Sequence, residues 1–206
     1  MNATLEAPQA EIQQTAPLSN LRRSRPIRAA RPAERIVLTG FMGSGKSTIG
    51  PLLAAELGWN FVDLDAEIER RTGLTVPQIF AERGEAAFRK EETAALVAAL
   101  GHAHTVIALG GGAPETLGNR LLLEQTPATA VVYLAAPFAT LAARCAQQSG
   151  NIRPNFTDQA AAETRFATRQ PLYQRLAHVS IETDGLSPQD SVAAVLAAVA
   201  AKSSLG

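Results

Sequence analysis

The sequence predicts a three-layer α/β domain built on a five-stranded parallel sheet. Three observations carry this. From Arg35 onward, strand-like runs alternate with helical ones, as they do when helices cover both faces of a parallel sheet. The first of these strands runs into Gly40-Phe41-Met42-Gly43-Ser44-Gly45-Lys46-Ser47, and a helical segment follows at once. The chain has 206 residues, of which 46% are hydrophobic, enough for one domain with a sizeable core.

Arg35–Thr39 is short and β-branched, the first strand. The loop after it fits G-x-x-x-x-G-K-[ST], which cradles phosphates. Its glycines let backbone N–H groups turn inward around phosphate oxygens, and the helix N-terminus behind it adds positive potential. In that setting Lys46 reaches the β- and γ-phosphates and the Ser47 hydroxyl holds Mg²⁺. Thr48–Leu57 reads as the helix, and Pro51, past its first turn, predicts a local kink because it cannot bond to the Ser47 carbonyl. Asn60–Asp63 is the second strand, followed by helical stretches at Ala66–Arg71, Val76–Arg83 and Gly84–Ala99. Thr105–Leu109, Ala130–Leu134 and His178–Glu182 complete the strands, with helices at Leu117–Gln125, Phe138–Gln148, Ala160–Leu176 and Pro188–Ala201. Ligands of such sheets bind beyond the carboxyl ends of the strands.

Composition narrows the function classes. Lys+Arg and Asp+Glu balance at 19 each, which gives no electrostatic footprint for nucleic acid. No apolar stretch is long enough to span a membrane. Cys145 is the only cysteine, so neither an intrachain disulfide nor a multi-cysteine metal site can form. His102, His104 and His178 are scattered and read as packing or surface residues.

Three clusters bear on a substrate. Asp63 and Asp65 close the second strand two residues apart, and in extended geometry both face the same way, toward the phosphate loop. One can organise water around Mg²⁺ and the other can meet a substrate hydroxyl; a solvated strand end with a helix cap at Asp65 explains them equally well. Arg89 and Glu92 share a helix face, either as a guanidinium prepared to grip an anion or as a surface ion pair. Gly110-Gly111-Gly112 follows the third strand, where backbone approaches a ligand closely or simply turns.

In order and spacing these elements resemble the shikimate kinase family. The resemblance runs from about Arg35 to Ala201 and takes in the loop Gly40–Ser47, Asp63 and Asp65 before Ile68-Glu69, and Arg71-Thr72-Gly73. It continues through Gly84-Glu85, Phe88-Arg89 and Glu92, Gly110–Gly112, Val131-Val132-Tyr133-Leu134, Arg153-Pro154 and Arg169-Gln170-Pro171-Leu172-Tyr173. The resemblance implies a P-loop kinase fold with a mobile lid at about residues 149–165, and phosphorylation of shikimate by ATP with Mg²⁺. It implies catalytic roles for Asp65 as base and for Lys46 and Arg153 as stabilisers of the transferred phosphoryl group. Asp65, Arg89, Gly111 and Arg169 would hold the acceptor, the two arginines on its carboxylate. Gly43, Ser44, Gly45, Lys46, Ser47 and Thr48 would bind nucleotide phosphates, Arg153 would close over them, and Arg144 and Pro188 would sandwich the adenine. Ser47 and Asp63 would serve the metal. The chain departs from the pattern in the lid, where Asn155-Phe156 replace the usual two leucines after Arg153-Pro154.

Family members are usually cytoplasmic in bacteria and often monomeric. Residues 1–33 stand apart, with Pro8, Pro17, Pro26 and Pro32, a basic run from Arg22 to Arg31 and no hydrophobic periodicity. They read as a disordered tail before a kinase domain at 34–206, with an organelle transit peptide or an arm for an acidic partner as the other readings. Two further function classes match the phosphate loop: a kinase of the same fold for gluconate, a nucleoside monophosphate or another metabolite, and a nucleotide-dependent switch without an acceptor.

Overall fold

A computed structural model describes residues 32–147 and 158–204. Its elements run β1 (Arg35–Thr39), α1 (Lys46–Leu57), β2 (Asn60–Asp63), α2 (Leu64–Thr72), α3 (Val76–Leu100), β3 (Thr105–Ala108), α4 (Leu117–Gln125), β4 (Thr129–Ala135), α5 (Phe138–Gln147), α6 (Gln159–Leu176), β5 (Val179–Glu182) and α7 (Pro188–Ser204). A short 3-10 turn, Ala113–Glu115, sits between β3 and α4. The five strands form one sheet in the order β2-β3-β1-β4-β5, every pair parallel. The predicted architecture is therefore present, with element ends shifted by no more than a few residues.

Alternation along the strands sorts side chains into two cores. Ile36 and Leu38 of β1 point to one face, where they pack with Ile49 and Leu53 of α1 and Val192 and Val195 of α7. Val37 points to the other, with Leu64 and Ile68 of α2 and Ile79 and Leu96 of α3. Because both faces are covered, the central strands are apolar on both sides, and residues 131–135 of β4 are all buried.

Two helix details position the site. Gly45, the N-cap of α1, has φ 96°, a left-handed conformation that glycine takes without strain, and this aims the start of the helix at the loop. The helix then runs unbroken through Pro51, so the predicted kink does not interrupt it. In α3, Gly84 has φ 79° and ψ 171°, a break at the point where the sequence predicts one helix to end and another to begin. Thr75 and Gln78 form a capping box at the start of α3, with the Thr75 N–H donating to Gln78 Oε1 at 2.8 Å. The Gly84 break sets the direction of the later half, which carries Phe88, Arg89 and Glu92.

Candidate active site

β1, β2 and β3 end together, and the segments leaving them enclose a cavity of about 360 Å³. The phosphate loop forms one wall through Gly43, Gly45, Lys46, Ser47 and Thr48. Asp63 and Asp65 line it from the β2–α2 junction, Arg89 and Glu92 from α3, Gly110–Gly112 from the loop after β3, and Arg169 from α6.

Lys46 folds back over its own loop. Its ammonium donates to the carbonyls of Gly40 at 2.7 Å and Phe41 at 3.0 Å, and to Ser44 Oγ at 3.4 Å. Ser47 Oγ donates to Asp63 Oδ2 at 2.9 Å. The other Asp63 oxygen caps α2, accepting from the N–H groups of Asp65 at 3.1 Å and Ala66 at 3.4 Å. One carboxylate thus fixes the helix start and meets the loop hydroxyl. The extended geometry expected for the two aspartates is corrected here: β2 ends at Asp63, and Asp65 lies in the first turn of α2. The cap is Asp63, not Asp65. Both carboxylates still face the same cavity because the helix starts immediately at the strand end.

Arg89 is tied on several sides. Its Nη1 donates to Glu92 Oε2 at 3.0 Å, and its Nε and Nη2 donate to Glu85 Oε1 at 3.3 Å and 3.0 Å. Glu92 is only 1% exposed. Burial pushes its carboxyl above the ordinary carboxylate value, against the pull of Arg89. Burial works against the charge of Arg89 as well, yet Glu92, Glu85 and Glu115 together hold its guanidinium above its usual value. The surface-ion-pair reading therefore does not describe this pair, since one partner is buried. Arg169 reaches the same place from α6 and donates to Glu115 Oε2 at 2.8 Å. Tyr173, fully buried one turn further on, donates to the Gly111 carbonyl at 2.6 Å, and burial raises its hydroxyl pKa so that it stays a donor.

A second cavity of about 250 Å³ opens on the other side of the loop. Gly43, Ser44, Gly45 and Thr48 form its floor, and Arg144 and Pro188 line it. Arg144 is anchored by Thr183, donating to its carbonyl at 2.6 Å and to its Oγ1 at 3.1 Å. The expected site residues thus fall into two adjoining groups around one loop, except Arg153, which lies outside the described residues together with most of the lid span.

Sequence reasoning missed three contributors. Glu115 bridges the two arginines from a 3-10 turn too short to leave a periodic signal. Thr183 holds Arg144 across 39 residues of sequence. Asn119 is fully buried in α4, accepts from Thr93 Oγ1 at 2.8 Å and donates to the Ala113 carbonyl at 3.0 Å, which pins the turn that carries Glu115. Only Asn119 had a signal available, as a polar residue on the inward face of a helix.

A phosphate loop on a 2-3-1-4-5 parallel sheet, with a cavity lined by carboxylates and arginines beside it, defines a P-loop kinase of small molecules. Comparison with known proteins narrows the class. The family model described as shikimate kinase matches residues 42–200. Shikimate kinase from Chlorobium chlorochromatii is 46% identical over 159 residues, covering 72% of this chain and 82% of that protein. Shikimate kinase from Thermus thermophilus is 40% identical over 172 residues, covering 81% and 90%. The solved structure of shikimate kinase from Acinetobacter baumannii in complex with shikimate superimposes with a TM-score of 0.75 at 36% identity, covering 82% of this chain and 94% of that one. The chain belongs to the shikimate kinase family.

Proposed function

We propose that this protein transfers the γ-phosphoryl group of ATP to a ring hydroxyl of shikimate, giving shikimate 3-phosphate and ADP. The observation that carries this is the convergence of Lys46, Asp65, Arg89, Gly111 and Arg169 on one cavity. The arginines and the Gly111 backbone hold the acceptor carboxylate, which leaves the ring hydroxyls toward Asp65 and the phosphate loop. The acceptor hydroxyl oxygen attacks the γ-phosphorus, the bond to the bridging oxygen of ADP breaks, and the hydroxyl proton passes to the Asp65 carboxylate. Because the transition state is loose, catalysis is mostly positioning and charge stabilisation. Lys46 supplies positive charge from the loop and Arg153 from the lid. Exclusion of water by lid closure limits wasteful hydrolysis of ATP.

Ser47 Oγ and Asp63 Oδ2, hard oxygen donors 2.9 Å apart at the loop, suit Mg²⁺, which is bound through one or two carboxylates and substrate phosphates. Ser47 and Asp63 would hold Mg²⁺ there, and the ion would supply positive charge against the phosphates. Among the described residues no cluster of three or more His, Cys, Asp or Glu could hold a metal ion. Arg144 and Pro188 flank the adenine in the second cavity.

The kinase domain spans 34–206, with 1–33 as a tail and the lid at about 149–165. No helix among the described residues is long and apolar enough to cross a membrane. A cytoplasmic monomer that binds neither nucleic acid nor membrane matches the balanced charge and the family resemblance. An ADP-release assay with shikimate, quinate and gluconate side by side tests the reading. Turnover dependent on shikimate supports it; turnover with gluconate alone transfers the site to another acceptor, and ATP binding without acceptor-dependent turnover marks a switch.

A further inference from the structure

One carboxylate oxygen already stands between the two arginines that face the acceptor. Glu115 Oε2 accepts from Arg169 Nη2 at 2.8 Å and from Arg89 Nη2 at 3.4 Å. A ligand carboxylate on this pair would make the same bridging contacts. The backbone of Glu115 is fixed: its N–H donates to the Gly112 carbonyl at 2.9 Å, and its carbonyl accepts from Arg120 Nη1 at 3.0 Å. Its side chain is held less firmly. It is 36% exposed and can rotate into water, where its charge is solvated again. Arg89 keeps its place without Glu115, because Glu85 and the buried Glu92 hold it from the helix, and its bond to Glu115 is the longest it makes to any of the three.

We infer that Glu115 is a tethered competitor at the acceptor site: its carboxylate occupies the Arg89–Arg169 pair, and the carboxylate of an acceptor must displace it. The inference rests on the reading of that arginine pair as the acceptor's carboxylate site. Two guanidiniums beside a phosphate loop would otherwise draw any small anion, including the phosphates of ATP. A fixed negative charge on the pair penalises every anion alike. An anion held by its charge alone is then bound weakly, while a ligand that adds hydroxyl contacts at Asp65 keeps useful affinity in spite of the same penalty. Gly112 makes room for the arrangement: a Cβ there would stand 2.8 Å from both Nη1 and Nη2 of Arg89 and 3.0 Å from Glu115 Oε2.

Calorimetric titration of the full chain and of its Glu115→Gln and Glu115→Ala variants tests the inference, with shikimate, ATP and cyclohexanecarboxylate as separate ligands. Gln keeps the size of the side chain and removes its charge; Ala removes both, and unchanged melting temperatures establish that each variant is folded. The shikimate Kd falls roughly ten-fold or more in both variants, since like-charge juxtaposition is a large penalty to remove. Cyclohexanecarboxylate, which has the carboxylate but no hydroxyls, gains affinity by a similar factor, and the Kd of ATP in the nucleotide site stays put. A shikimate Kd that is unchanged or higher in both variants overturns the inference and makes Glu115 a brace for the pair. Shikimate binding by the unmodified chain without tightening in the variants sinks the inference alone. Failure of all three proteins to bind shikimate sinks the acceptor-site reading along with it.

Discussion

Asp63 and Asp65 are two residues apart and do different things. Asp63 divides its oxygens between the N-cap of α2 and the Ser47 hydroxyl, which ties it to the loop and, in the proposed mechanism, to Mg²⁺. Asp65 lines the cavity beside Gly110, where the proposed acceptor would lie. Asp65→Asn keeps size and some hydrogen bonding but cannot take the hydroxyl proton as a carboxylate does; steady-state assays at saturating ATP and metal should show a large fall in kcat, roughly 10²-fold or more. Asp63→Asn should instead shift the Mg²⁺ requirement upward and recover partly when metal is raised. Equal rescue of both variants by Mg²⁺ would contradict the division. Both residues were legible in the sequence as a pair of carboxylates near a phosphate loop. Their roles were not, because the extended spacing that suggested them gives way to a helix start two residues earlier than expected. Glu115 was not legible at all: a single acidic residue in a three-residue turn acquires its meaning only when α3 and α6 bring two arginines to it.

At the scale of elements, the sequence located every strand and α-helix among the described residues, because β-branched runs and helical stretches alternate with clear breaks. The close packing of α1 on β2 was hidden. Gly50 is buried in mid-helix, and a Cβ there would stand 2.3 Å from Cε2 of Phe61, a ring held between helix and sheet. Glycine is otherwise a poor helix residue, so alanine would be favoured by propensity alone. Packing wins here: Gly50→Ala should lower stability by about 1–3 kcal/mol through overpacking, despite the better propensity, as measured by chemical denaturation. A gain in stability would show that Phe61 moves aside freely. The same contact sets the distance from Ser47 at the start of α1 to Asp63 at the end of β2, so the variant should also weaken metal-dependent turnover.

Across the whole molecule, the three strand ends gather residues separated by more than 100 positions, from Lys46 to Arg169, into one cavity. Aromatic packing joins distant parts in the same way: Phe41 of the loop meets Phe166 of α6 edge-on at 5.4 Å, so the helix carrying Arg169 is docked on the loop carrying Lys46. Such contacts cannot be read from spacing, since they depend on strand order. A further long-range tie joins the edge strand to the sheet. The Val131 N–H donates to His178 Nδ1 at 2.9 Å, although His178 as a residue is exposed. Partial burial and the ammonium of Lys202 push the His178 pKa below its ordinary value near 6.5. The folded state therefore prefers neutral imidazole, and the unfolded chain takes up the proton first as pH falls. This contribution to stability is complete above about pH 6.5 and is lost as pH drops through that value toward the lower folded pKa. Melting temperature should thus fall between about pH 7.5 and about 5.5 by more in the unmodified protein than in His178→Asn, which keeps an acceptor but does not titrate. Identical pH profiles would remove His178 from the account.

The central claim is that Arg89 and Arg169 read a carboxylate on the acceptor. Binding of shikimate and of its uncharged methyl ester to the unmodified protein, Arg89→Ala and Arg169→Ala measures it most directly. Truncating one partner of a desolvated charge pair costs about 2–5 kcal/mol, so each substitution should raise the shikimate Kd by a factor of tens or more, with a much smaller effect on ATP. The ester should bind the unmodified protein poorly and respond little to either substitution. Equal losses for acid and ester would contradict the claim and leave the arginines without a carboxylate to read.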